Sequence, residues 1–247
     1  MTRYRFASLG MSVAVALLAF AWPHAAFADP WRDMAGQTDI APALRQVMML
    51  TALSMIPALL IAMTSFTRIV IVLSMIRGAL GLQQTPPNVV IITLSLFLTL
   101  FSMSPVLQAA KERAVDPWVA KTMDTGSAVA AGFQPFKEFM IRQTREGDLR
   151  AVVDMARAPQ PKSLDEVQAL HLIPAFMLSE LRTAFQIGFV IFLPFLLIDL
   201  VVAAILMALG MIMVPPATVS LPLKILLFLL INGWVLVAQA LLGSYRH

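Results

Sequence analysis

Residues 193–217 read LPFLLIDLVVAAILMALGMIMVPPA. An apolar run interrupted by one acid, Asp199, ends in Ala208-Leu209-Gly210; Met207, Met211 and Met213 fall within seven residues, and Pro215-Pro216 closes the stretch. Gly permits positive φ just past a helix end, and Pro cannot continue a helix, so the pattern is a helix, a turn and the start of another helix. The apolar segment Ala184–Val214 is 31 residues long. As one helix it would measure ~46 Å, more than the ~30 Å hydrocarbon core of a bilayer. It therefore tilts, kinks near Pro194, or extends beyond the membrane. The methionines, taken alone, read first as apolar filler between helices and only second as a soft seal.

The rest of the chain places this hairpin in a membrane protein. Of 247 residues, 59% are hydrophobic and 13% charged, and the mean hydropathy is +0.81. A soluble domain carries about 25% charged residues. There is no cysteine, which excludes disulfides, Cys-ligated zinc and a Cys nucleophile. His24, His171 and His247 lie far apart and outside any zinc-binding pattern, so neither metal nor cofactor is expected. The net charge of +4 is spread among apolar runs and leaves no nucleic-acid footprint.

The chain opens MTRYRFASLGMSVAVALLAFAWPHAAFADP. Arg3 and Arg5 precede an apolar core, Pro23 breaks it, and Ala26-Phe27-Ala28 supplies the small residues of a cleavage site before Asp29. This predicts a secretory signal peptide over 1–28 and a mature chain entering the bacterial inner membrane from its far side. A periplasmic segment, 29–45, follows. Residues 46–106 hold no acid and two bases, Arg68 and Arg77, and form a first apolar hairpin. Residues 107–170 hold nine Lys/Arg and nine Asp/Glu and form a hydrophilic, mostly helical region on the periplasmic side. Residues 171–247 form the second apolar hairpin, with the methionine loop.

Hydropathy predicts four crossings, in Val47–Met63, Val89–Val106, Ala184–Val214 and Leu223–Leu242. This topology puts Arg68, Arg77 and Lys224 in or beside the cytoplasmic turns. Both turns share a pattern: Ala79-Leu80-Gly81 precedes Pro86-Pro87 as Ala208-Leu209-Gly210 precedes Pro215-Pro216. The match is either common turn chemistry or an internal parallel repeat.

Charges inside apolar helices cost ~2.5–3.5 kcal/mol at mid-bilayer. Arg68, Glu180, Arg182 and Asp199 occupy such positions, and the halves do not balance separately. They are expected to pair across halves or across subunits, with Glu180 as a contact between copies. Phe136, Phe139, Met140 and Arg142 predict a helix with an apolar face. Arg145, Glu146 and Asp148 beside it form a solvated face or contacts with a neighbouring copy.

Several stretches together resemble one family. MTSFTRIVIVLSMIRGALGLQQTPPN (63–88), FLTLFSMSPV (97–106), PFKEFMIRQTREGDL (135–149), PAFMLSELRTAFQIGF (174–189) and residues 193–217 are similar to the FliP family of type III export-gate subunits. The resemblance implies a homo-oligomer of five copies, completed by FliR and flanked by FliQ, within an apparatus that includes FlhA, FlhB and the basal-body MS ring. Unfolded flagellar proteins would pass through its central conduit. It also implies that Met211 and Met213, flanked by Met207, form a gasket around the closed pore. Ile212 stands where the family commonly has a third methionine. Met suits such a seal because its side chain is apolar, unbranched and adaptable.

The expected fold is thus an all-α membrane protein of helical hairpins packed into an oligomeric ring, in the inner membrane at the flagellar basal body. Gly81, Pro86, Pro87, Gly210, Pro215 and Pro216 shape its loops. No enzymatic role is expected. Alternatives are the virulence-injectisome counterpart, or a secondary transporter carrying a coupling ion on Asp199 and Glu180. A hydrolase built on Ser65 and His171 lacks any recognisable triad.

Overall fold

The computed structural model describes residues 41–161, 163 and 166–245. The expected signal peptide, with Ala26, Ala28 and Asp29, lies outside the described residues. The chain divides after Pro57 into two compact units. The described part of the first is the front of helix α1 (Ala41–Ala62).

The second unit is helical throughout its regular elements. Helices α2 (Phe66–Ala79) and α3 (Asn88–Ala110) make the first hairpin. α3 continues through a π-helical turn, Lys111–Val115, into the short α4 (Asp116–Val119). α5 (Thr125–Gln143) and α6 (Glu146–Met155) follow. Then come α7 (Ala169–Ala208), α8 (Pro216–Leu230) and α9 (Gly233–Gly243).

α2 sits at the centre because its apolar residues recur at helical spacing. Ile69, Val72, Leu73 and Ile76 are all buried, followed by Ala79 and Leu80 at its end. Its main partner is α7. Arg68 meets Glu180, and Met75 lies over Gly188, where an added Cβ would come within 2.3 Å of its sulfur. Residue numbers rise together along the two helices, so they run parallel. The two hairpins are therefore joined through their first helices.

The charged middle region folds back on this pair. α5 packs on α3 and α7, and α6 packs along α7. Phe139 and Met140 are completely buried, as expected of the apolar face of α5. The Phe139 ring meets Phe176 edge-on at 5.8 Å. Asp124 caps α5 by accepting a hydrogen bond from Ser127 N–H (3.1 Å). Bonds from the Ser127 side chain and backbone hold the Asp124 carboxyl below its usual range.

Among the described residues, two helices are long and apolar enough to cross a membrane: Asn88–Val119, taken as one continuous rod, and α7. A third crossing results if α8 and α9 count together. Hydropathy expects four crossings, and by length and composition the described residues hold two or three. Leu223–Leu242 is broken by Asn232, whose left-handed backbone (φ 50°) turns α9 by 63° relative to α8. The turn carries Val237, Leu241 and Tyr245 into the core. It is held by close packing of Gly233 and Trp234 on the Phe228 ring. The first expected span falls in α1, whose apolar stretch Leu44–Leu59 is shorter than a crossing. The third does not break at Pro194: α7 is a single helix of 40 residues that starts at Ala169 and ends before the methionine loop.

Candidate functional site

The loop joining α7 to α8 is built by backbone caps. Gly210 takes φ +75°, a conformation that costs a residue with a Cβ roughly 1–2 kcal/mol. Gly210 N–H donates to Met207 O (3.0 Å), and Met211 N–H donates to Leu206 O (2.9 Å). These two bonds close the end of α7 as a Schellman motif. Pro215 then precedes the first turn of α8, where Pro216 starts the helix with φ already fixed.

The first turn uses the same device. Gly81 has φ +76°. Gly81 N–H donates to Gly78 O (3.0 Å) and Leu82 N–H to Arg77 O (3.1 Å). The shared Ala-Leu-Gly sequence thus encodes one motif twice. The loops differ beyond it. Arg77 reaches across the first turn to Pro86 O (3.2 Å) and Asn88 Oδ1 (2.6 Å). Between Gly210 and Val214 the second loop carries backbone bonds only, the last from Val214 N–H to Met211 O (3.4 Å). One loop is pinned by an arginine; the other leaves its side chains free.

Those side chains are apolar and point away from the unit. Met207 is 66% exposed, Met211 44%, Ile212 86% and Met213 96%. Four neighbouring apolar side chains held out in this way form a contact surface that the single chain does not use.

The charges set in apolar helices find partners within the chain. Arg68 Nε donates to Glu180 Oε2 (2.9 Å), and Arg68 Nη2 pairs with Glu180 Oε1. Arg68 Nη1 donates to the hydroxyl (2.9 Å) and carbonyl (3.3 Å) of Ser244. The guanidinium lies over the Tyr245 ring at 4.0 Å from its centroid. Tyr245 OH is 3.1 Å from both Ser65 O and Glu180 Oε2.

Two further pairs brace α7. Arg182 Nη2 contacts Asp148 Oδ1 at 3.1 Å, and Ser179 OH donates to Asp148 Oδ2 (2.7 Å). Ser179 Oγ in turn accepts from Arg145 N–H (3.0 Å). Lys224 Nζ donates to Asp199 Oδ2 (2.6 Å) and to Ala79 O (3.3 Å).

Arg68, Glu180, Arg182 and Asp199 therefore all find partners inside one chain. The Arg68–Glu180 pair joins the two apolar halves, one of the two kinds of pairing expected of these charges, and Glu180 is wholly buried. Parallel packing of α2 on α7 sets Arg68 opposite Glu180 before any second copy is needed. Arg145 and Asp148 are likewise engaged within the chain, and Glu146 pairs with Arg150 one turn on.

Sequence reading missed Ser244 and Tyr245, and it placed Asp148, which is buried, on a solvated face or at a contact with a neighbouring copy. For Lys224 a signal existed: Asp199 and Lys224 stand nearly equidistant from the loop, as partners across a hairpin must. A lone tyrosine after an apolar helix gives no such signal. Among the described residues, no three metal-binding side chains come together.

Comparison with known proteins gives a consistent result. Residues 49–241 match the model of the FliP family. Flagellar biosynthetic protein FliP of Pectobacterium carotovorum subsp. carotovorum is 52% identical over 202 residues, covering 82% of this chain and 77% of its own. The protein of that name from Bacillus subtilis (strain 168) is 45% identical over 207 residues, 84% of this chain and 94% of its own. That of Aquifex aeolicus (strain VF5) is 44% identical over 213 residues, 85% and 89% of the two chains.

Proposed function

The chain belongs to the FliP family, and from that membership we propose that it forms the core conduit of the flagellar type III export gate. Several copies, five by family resemblance, surround a path for unfolded flagellar proteins across the bacterial inner membrane. FliR completes the ring, FliQ flanks it, and FlhA, FlhB and the MS ring adjoin it. The role is structural rather than enzymatic.

The observation that carries this reading is the methionine loop. Met211, Ile212 and Met213 are held out by the α7 cap, free of side-chain ties, where copies around an axis would bring them together. A ring of such side chains closes by apolar contact and yields to a passing chain. Ile212 is stiffer than the methionines around it, so it contributes bulk more than adaptability.

The length of α7 supports assembly. Large exposed apolar residues run from Leu170 to Met207, a stripe of ~55 Å at helical rise. A bilayer core covers ~30 Å of it. Only 17% of its most apolar window is buried within the chain. The remainder needs protein, which neighbouring copies supply. Membership of the FliP family favours the export gate over the transporter alternative.

The test is ion leak through the reconstituted assembly. Exchanging both Met211 and Met213 for Asn should raise leak without changing subunit stoichiometry in native mass spectrometry. A gate that stays tight, or a chain that remains monomeric with its sister subunits present, would overturn the reading.

A further inference from the structure

We propose that Lys224 is the positioning residue of the methionine loop: its ammonium fastens the base of the α7–α8 hairpin to the end of α2. The inference rests on the seal reading above and deepens it.

The carbonyls at the end of α2 are nearly all accounted for. Ile76 O accepts from Leu80 N–H, Gly78 O from Gly81 N–H, and Arg77 O from Leu82 N–H. Ala79 O accepts instead from Lys224 Nζ, supplied by α8. A cation is favoured there, because the last carbonyls of a helix carry negative partial charge. The same ammonium holds Asp199 Oδ2 on α7. Lys224 and Ser220, one turn before it on α8, are buried. One buried nitrogen thus ties three helices: α2, α7 and α8.

Its position gives the tie a function. α8 packs chiefly along α7 and α9, so the bond from Lys224 to Ala79 O is its polar link to the first hairpin. From Asp199 to the end of α7, and from the start of α8 to Lys224, the hairpin arms extend ~12–15 Å. The loop therefore stands at the tip of two arms clamped at their base. The arginine-pinned first turn is the fixed point against which the clamp bears. Releasing the clamp lets the arms splay and moves Met211 and Met213 off their closed positions, with the loop's own backbone caps unchanged.

The experiment compares ion leak and subunit stoichiometry of the assembled gate for Lys224→Met, Lys224→Arg, Asp199→Asn and Met213→Asn. Lys224→Met keeps an apolar stem and removes the ammonium. It should assemble normally and leak about tenfold more than wild type, equivalent to ~1.4 kcal/mol in the closed–open balance. Lys224→Arg retains a cation within reach of both oxygens and should restore leak to within about twofold of wild type. An assembled Lys224→Met gate that stays tight while Met213→Asn leaks overturns the proposal and leaves the seal intact. If Lys224→Met does not assemble, Asp199→Asn decides: raised leak supports the clamp, and a tight gate overturns it. A tight Met213→Asn gate refutes the seal reading, and the clamp with it.

Discussion

Glu180→Gln tests the in-chain account of the buried charges. The carboxylate is wholly buried; it accepts two bonds from Arg68 and one from Tyr245. The amide preserves the shape and one acceptor oxygen but removes the charge and turns an NH2 donor toward the Arg68 guanidinium, which is 3% exposed and keeps its bonds to Ser244. Stranding one member of a buried ion pair costs about 3–5 kcal/mol. Total domain stability is only about 5–15 kcal/mol. For a chain of this size the loss should lower the melting temperature of the solubilised assembly by roughly 6–20 °C. Replacing both partners with apolar residues, Arg68→Met with Glu180→Leu, removes the desolvation cost along with the attraction. That double variant should melt within a few degrees of wild type or above it. Tyr245→Phe removes the phenolic donor, while Ser65 O keeps Ile69 N–H and Glu180 Oε2 keeps Arg68 Nε, so it should cost only ~0.5–1.5 kcal/mol. If Glu180→Gln melts like wild type, or the double variant falls further than the single, the pair does not hold α2 against α7 as described.

Gly210→Ala should destabilise the assembly by about 1–2 kcal/mol, since an L side chain must then adopt φ +75°; Gly81→Ala should cost the same, and thermal melting of the two variants checks the equivalence of the two caps. Gly233→Ala places a Cβ 2.2 Å from the Phe228 ring, so it should disrupt the α8–α9 bend and reduce assembled yield; Phe228→Leu in the same chain should recover it in part. Asp124 carries a lowered pKa through its bonds to Ser127. Its stabilisation of the α5 start is therefore present above the ordinary carboxyl range and is lost as pH falls through the lowered value; Asp124→Asn should flatten that dependence in a proteolysis assay of the intact complex.

The fold was readable where a residue's demand is local. Gly81 and Gly210 announced their caps because each precedes a Pro-Pro that forbids continuation. The apolar run from Ala184 marked the second half of α7, but not its start at Ala169, and α2 did not stand out as a helix of its own. Asn232-Gly233 is itself a turn signal, yet hydropathy averaged over it and produced one straight helix. Partnerships were harder. Imbalance of charge showed that Arg68 and Glu180 need partners, but the choice between one chain and two depends on how α2 packs against α7. Tyr245 was invisible because its role comes from α9 folding back, which no pattern within α9 records. Asp148 looked like a surface acid until α6 lay along α7 and set it beside Ser179 and Arg182.

Disulfide cross-linking at the loop tip tests the central claim most directly. The sequence has no cysteine, so Met213→Cys gives a single reactive site per chain. If exposed methionine loops of neighbouring copies converge around a closed conduit, mild oxidation of the assembled Met213→Cys gate should produce dimers linked through the introduced thiols and lock export. Arg150→Cys, on the exposed face of α6, should not cross-link under the same conditions. An assembled, export-competent gate in which Met213→Cys remains monomeric under oxidation would contradict the account.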